Sequence, residues 1–146
     1  MEFDVKRYVT VFYEGEGIVA ASIKSNELVL LTEILRLGLS PNEHEDYNMS
    51  ALSVACKYGN LAAISILLNF GATVHGTPYE DSAPIYYAIM RDDVEAVCKL
   101  LENGASVEYT PSNEGAQPFT YAMSAGMKAL MIRALSGEVG EAEPAS

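Results

Sequence analysis

The chain has 146 residues, 49% of them hydrophobic and 20% charged, enough for one domain with a real core. Nine Lys and Arg against twenty Asp and Glu leave a formal net charge of −11, which repels polyanions and argues against a nucleic acid or an anionic lipid surface as partner. No apolar run approaches the roughly 18–20 residues of a membrane span; Met1 to Arg7 carries acids early and has no signal-peptide apolar core, so no membrane partner and a cytoplasmic location are expected.

In chain order, residues 1–12 carry Phe3, Tyr8, Val9 and Phe12, which fit one helical face, although Tyr8 to Tyr13 also fits an extended run. The helix-like reading makes this segment a cap on the helices after it. Leu28 to Leu37 reads as an apolar helix stopped by Gly38, and Ser40-Pro41-Asn42 as a turn. Ser50 to Tyr58 reads as a short helix ending before Gly59. Asn60 caps the next helix, Leu61 to Phe70, in which Ile64, Leu67 and Leu68 form an apolar stripe widened by Ile66. Gly71 supplies the positive φ that closes it. Val94, Val97, Leu100 and Leu101 repeat the stripe before Gly104, and Leu130, Met131, Ala134 and Leu135 repeat it before Gly137. Between them run the turn-rich linkers Gly76-Thr77-Pro78 and Thr110 to Gly115. The tail, rich in Glu, Gly and Ala, cannot bury a core and is expected to fray.

The chain repeats itself. Leu67-Leu68-Asn69-Phe70-Gly71-Ala72-Thr73-Val74 matches Leu100-Leu101-Glu102-Asn103-Gly104-Ala105-Ser106-Val107 at an offset of 33 residues. Stepping back by the same interval lands on Gly38; Leu52 pairs with Ile85 and Ala55 with Ala88. Pro118-Phe119-Thr120-Tyr121-Ala122 matches Pro84-Ile85-Tyr86-Tyr87-Ala88 at 34, one residue having been inserted.

These residues resemble the ankyrin-repeat family. Its unit is a β-turn, a short helix opened by Thr-Pro-Leu-His-x-Ala-Ala, a glycine, a longer helix, then Gly-Ala-x-Val-Asn. Ser50-Ala51-Leu52-Ser53-Val54-Ala55-Cys56 with Gly59 and Gly71-Ala72-Thr73-Val74-His75 follows that plan, as does Ala83-Pro84-Ile85-Tyr86-Tyr87-Ala88-Ile89 with Gly104-Ala105-Ser106-Val107-Glu108. The Thr and His of the opening motif are missing from all four units, so repeated hydrogen bonds are expected to be missing too. The resemblance implies an all-α ankyrin solenoid of four helix-turn-helix units with β-turn fingers. The expected divisions are a cap at 1–12, units at 13–45, 46–78 and 79–112, a degenerate capping unit at 113–137 and an acidic flexible tail at 138–146.

Reactive constellations are weak. His44 lies between Glu43 and Glu45 with Asp46 next, but neighbours in a turn point in different directions, and no metal site is expected. His75 occupies the place where the family has Asn and reads as structural. Cys56 and Cys98 have no histidine in register and read as small core residues, so no nucleophile is expected. Glu14-Gly15-Glu16-Gly17 is too acidic for a phosphate loop. No catalytic residue and no cofactor is expected.

The resemblance instead implies a non-enzymatic module that binds a protein through its concave face. The finger positions are Tyr13 and Glu14, Asp46, Tyr47 and Met49, Tyr79 and Glu80, and Glu114; the first-helix ends are Lys57 and Tyr58, then Met90 and Arg91. The acidic, tyrosine-bearing fingers imply a partner with basic contact residues. The alternatives are an enzyme with its site in the Tyr-rich finger row and an oligomerising piece of a larger ankyrin protein; the oligomeric state expected without a partner is monomer.

Overall fold

A computed structural model of the chain describes residues 17–42, 44–45, 49–77, 82–111 and 117–138. The expected cap at 1–12 and the tail beyond residue 138 lie outside the described residues. Helices pair in sequence: α1 (Ile18–Lys24) with α2 (Leu28–Arg36), α3 (Ala51–Lys57) with α4 (Leu61–Asn69), α5 (Pro84–Met90) with α6 (Val94–Glu102). A 3₁₀ turn, Pro118–Tyr121, then precedes α7 (Ala125–Leu135). A short antiparallel pair, β1 (His44–Glu45) with β2 (Met49–Ser50), aligns His44 with Ser50 and Glu45 with Met49. β2 runs directly into α3.

Two rows of helices result. The short first helices stack α1 on α3 on α5 on the 3₁₀ turn, and the longer second helices stack α2 on α4 on α6 on α7. The short row is made for close approach. In α1 and α3 six of seven residues are buried, many of them Ala, Ser or Cys, so almost every face of the helix meets protein. The longer row buries one stripe with helical spacing: Leu31, Ile34 and Leu35; Ala63, Ile64 and Leu67; Ala96, Val97, Leu100 and Leu101; Met127, Leu130 and Met131. Five stripe positions expected from sequence depart from this: Leu68, Ile66 and Ala134 are only half-buried, Val94, at the first turn of α6, is 41% exposed, and Leu135, in the last turn of α7, is 44% exposed.

Both helices of a unit end the same way. At the second-helix ends the N–H groups of Leu39, Ala72, Ala105 and Glu138 reach the carbonyls of Ile34, Leu67, Leu100 and Arg133. At the first-helix ends the N–H groups of Glu27, Asn60 and Asp93 reach those of Ser22, Ala55 and Ala88. Each is a six-residue closure that needs a left-handed residue within it. Gly59 meets that need at φ 66°, but Asn26 (φ 55°) and Asp92 (φ 57°) meet it in the neighbouring units. These two short polar residues tolerate the conformation and were not distinguishable by residue type alone.

Ser50 Oγ accepts from the N–H of Ser53 and donates to Ser53 Oγ, both at 3.1 Å, so unit two keeps hydrogen bonds where the family's Thr and His were missing. The first helices of the other units have no such side-chain cap. In the last unit the first helix shrinks to the four-residue 3₁₀ turn, where an α-helix was expected, and α7 begins early to take up the chain. Tyr121 on that turn meets Tyr86 of α5 edge-on, ring centroids 4.9 Å apart.

Candidate functional site

The expected binding face has two rows. Of the finger row, Tyr13, Glu14, Asp46, Tyr47, Tyr79, Glu80 and Glu114 lie outside the described residues. Met49 lies on β2, half-buried against the core.

The first-helix ends are fully described. Lys57 closes α3, Met90 closes α5, and Tyr58 and Arg91 are the residues capping those helices. All four are exposed. Tyr58 is 49% and Met90 46% exposed.

The ends are tied together unit by unit. Asn60 caps α4 through Oδ1, which accepts from the N–H of Ala63 at 3.1 Å, and its Nδ2 donates to Asn26 Oδ1 at 3.0 Å. Arg91 Nη1 donates to the carbonyl of Lys57 at 3.2 Å. Ser124 Oγ accepts from the N–H of Met127 and donates to Asp92 Oδ1 at 2.6 Å. The Arg91 guanidinium lies over Gly59, where a Cβ would stand 2.6 Å from Nε and Nη2. Gly59 is therefore fixed twice, by its φ and by the arginine that uses its missing side chain. Sequence reasoning placed Arg91 on this face but missed its bond to the unit before; a glycine one interval before the residue that follows an arginine was the available signal. An open groove of about 320 Å³ runs along the same turns, lined by Ile23, Lys24, Asn26, Tyr58, Gly59, Asn60 and Leu61.

Elsewhere the chemistry is structural. His75 stacks on Tyr109 with ring centroids 4.3 Å apart, its Nε2 is buried without a hydrogen-bond partner, and that burial holds its pKa below the ordinary 6.5. Cys56 is buried. Cys98 is half-buried; burial first, then the Glu102 carboxylate, pushes its thiol up, with Arg133 opposing. A raised thiol pKa makes a poor nucleophile. Among the described residues no three His, Cys, Asp or Glu stand together as metal ligands, and no helix is long and apolar enough to cross a membrane.

Residues 18–111 match the family model for ankyrin repeats in three copies. The chain is 30% identical over 128 residues, 84% of its length, to the probable palmitoyltransferase AKR2 of Saccharomyces uvarum. It is 31% identical over 97 residues, 64% of its length, to BRCA1-associated RING domain protein 1 of Caenorhabditis elegans. It spans only 17% of the first of these relatives and 13% of the second. Among solved structures, the human ASB11 ankyrin repeat domain superposes with a TM-score of 0.67 at 26% identity, covering 83% of this chain and 54% of that one. The repeat interval, the two-row stack and these matches agree: the chain belongs to the ankyrin-repeat family, whose repeats are in general protein-interaction modules.

Proposed function

We propose that this chain is a non-enzymatic module that docks a protein partner on the face formed by its fingers and first-helix ends. The observation that carries the reading is the continuous exposed row at residues 57–58 and 90–91, held in place by the Arg91–Lys57 bond and bearing an aromatic, a thioether and two cations. Tyr and Arg are among the side chains enriched at the residues that dominate interfaces. The finger row expected from the family's plan, Tyr13, Glu14, Asp46, Tyr47, Tyr79, Glu80 and Glu114, is acidic and carries no Lys or Arg. A partner with basic tips meets the fingers, and an acidic or aromatic centre meets Lys57 and Arg91 behind them.

The test is capture of partners from native extract by the wild-type chain and by Tyr47→Ala, Glu80→Lys and Arg91→Glu. Loss of capture in these variants, with Glu95→Lys on the exposed side of α6 unaffected, supports the reading. Capture unchanged by all three but lost with Glu95→Lys moves the interface to the other row of helices. A second reading, end-to-end packing of chains, draws on Ile132 of α7, which is 68% exposed. Concentration-dependent mass by sedimentation, abolished by Ile132→Glu, would favour it.

A further inference from the structure

The end of α6 carries a reactive pair that the other second helices lack. Asn103 is the one asparagine of the sequence followed by glycine, and Gly104 is the left-handed residue of the closure, at φ 94°. At the matching closures Gly38, Gly71 and Gly137 follow Leu37, Phe70 and Ser136. Asn103 and Gly104 are both exposed, so water and hydroxide reach them.

An asparagine followed by glycine reacts with its own backbone. Hydroxide takes the proton of the Gly104 nitrogen, which then bonds to Cγ of Asn103. The side-chain amide leaves as ammonia, its third proton supplied by water, and a five-membered succinimide remains. Water then opens the ring. Breaking the new N–Cγ bond gives aspartate; breaking the original peptide bond gives isoaspartate, whose main chain runs through the side-chain carbon. The sum consumes a water and releases an ammonia, and nothing is oxidised or reduced. Glycine suits the step because it has no Cβ to crowd the attacking nitrogen.

We infer that Asn103 is a self-modification site gated by the closure of α6: it converts to isoaspartate and aspartate when that last turn opens, and the product does not close again. The inference is independent of the docking reading above.

The gate lies in the hydrogen bonds. The Gly104 N–H donates to the carbonyl of Leu101 at 3.0 Å, so the proton that must leave first is held. Asn103 Nδ2 donates to the carbonyl of Lys99 at 2.8 Å, so the departing amide is held too. The Ala105 N–H, bonded to the carbonyl of Leu100, spans both residues. Freeing them takes the fraying of one helical turn, a local opening that costs less than global unfolding. Such opening is fast beside succinimide chemistry, so the rate follows the open population.

The product cannot restore the closure. An ionised carboxylate accepts hydrogen bonds and donates none, so the Lys99 carbonyl loses its partner. It also sets a negative charge at a helix C-terminus, where the dipole opposes it. Isoaspartate further adds a carbon to the main chain between Leu100 and Ala105, the span of the closure. Just beyond, Val107 is buried and its carbonyl accepts from the N–H of Phe119 at 3.0 Å, so the conversion falls beside the joint to the last unit.

The test is incubation of the purified chain for weeks at neutral and mildly alkaline pH, with parallel samples unfolded in urea. Peptide mapping by mass spectrometry locates the conversion, and methyl labelling by an isoaspartyl methyltransferase measures it. In urea, residue 103 should lead every other asparagine. The folded chain should convert there too, faster at the higher pH, but about tenfold or more slowly than the unfolded chain. Leu100→Ala, which loosens the stripe beneath the closure, should speed conversion without urea. Should that variant not fold, the wild-type chain in urea just below its transition takes its place. Asn103→Gln keeps a donor, lacks the five-membered route and should take no label. Converted chain, separated from fresh chain by ion exchange, should melt at a lower temperature. Conversion led by another asparagine in urea, equal rates in the folded and unfolded chain, or no isoaspartate in the folded chain overturns the inference. So does converted chain that melts as fresh chain does.

Discussion

The second and the fourth units are built from similar residues and are buried very differently. In the second, α3 has six of seven residues buried, and Leu67 of α4 is wholly enclosed. In the fourth, the first helix is a 3₁₀ turn with only Pro118 buried, and α7 buries three of its eleven residues. Ile132 and Leu135 of α7 lie 68% and 44% exposed. The difference teaches that burial here is conferred by neighbours rather than by the helix. An inner unit is covered on both sides, while among the described residues α7 packs on α6 alone within its row.

The strongest test of that comparison is a matched pair of truncations. Leu67→Ala or Leu100→Ala removes a fully enclosed side chain and should cost roughly 2–5 kcal/mol. Leu135→Ala should stay within about 0.5 kcal/mol. Chemical denaturation reads both; equal losses would mean that the last unit is packed as tightly as the inner ones.

Glycine comes next. Gly59→Ala must hold a left-handed φ and displace the Arg91 guanidinium, and should cost about 1–3 kcal/mol. Gly137→Ala, at the end of α7, meets open space and carries the backbone strain alone, about 1–2 kcal/mol. Adding Arg91→Ala to Gly59→Ala should recover part of the loss, and thermal melts of the double variant check it.

Caps rank third. Asn60→Ala removes the cap of α4 and the bond to Asn26, and should cost about 1–2 kcal/mol. Ser136→Ala, whose hydroxyl only bonds back to the carbonyl of Arg133 in the exposed last turn, should change stability by less than about 0.5 kcal/mol. Urea titration of the two variants side by side measures the gap.

The smallest effect is that of pH. Burial lowers the pKa of His75, so the folded chain binds its proton less readily than the unfolded chain does. Below the ordinary value of 6.5 the unfolded state gains protons that the folded state lacks. Stability should therefore fall as pH drops through that value towards the lower folded pKa. His75→Gln should flatten this part of a melting-temperature profile between neutral pH and about pH 5.

Much of the fold was legible because the repeat is written in large residues. The Leu-Leu pairs followed by glycine at an interval of 33 mark the second helices and their ends, and the family motif marks the first. What was not legible depends on position within the stack. Val94 has the hydrophobicity of a stripe residue, but it sits at the first turn of α6, directly after Asp93, and is left 41% exposed. The truncated first helix of the last unit carries a Pro-Phe-Thr-Tyr start similar to Pro-Ile-Tyr-Tyr, so no local signal announces that it stops after four residues. At the candidate site, the exposure of Tyr58, Met90 and Arg91 followed from their place at the helix ends. The bonds joining those ends did not, since a hydrogen bond between units depends on which two side chains the interval brings together.

Those bonds have a consequence for how the chain can be rearranged. Each joint uses different chemistry: amide to amide between Asn60 and Asn26, guanidinium to carbonyl between Arg91 and Lys57, hydroxyl to carboxylate between Ser124 and Asp92. Excising the second unit would bring Arg91 against Asn26, whose Cβ stands where Gly59 offers empty space to the guanidinium. Excising the third would set Ser124 against Gly59, which has no carboxylate to accept its hydrogen bond. The units share one backbone plan, yet they are not interchangeable bricks; their order is written into the joints.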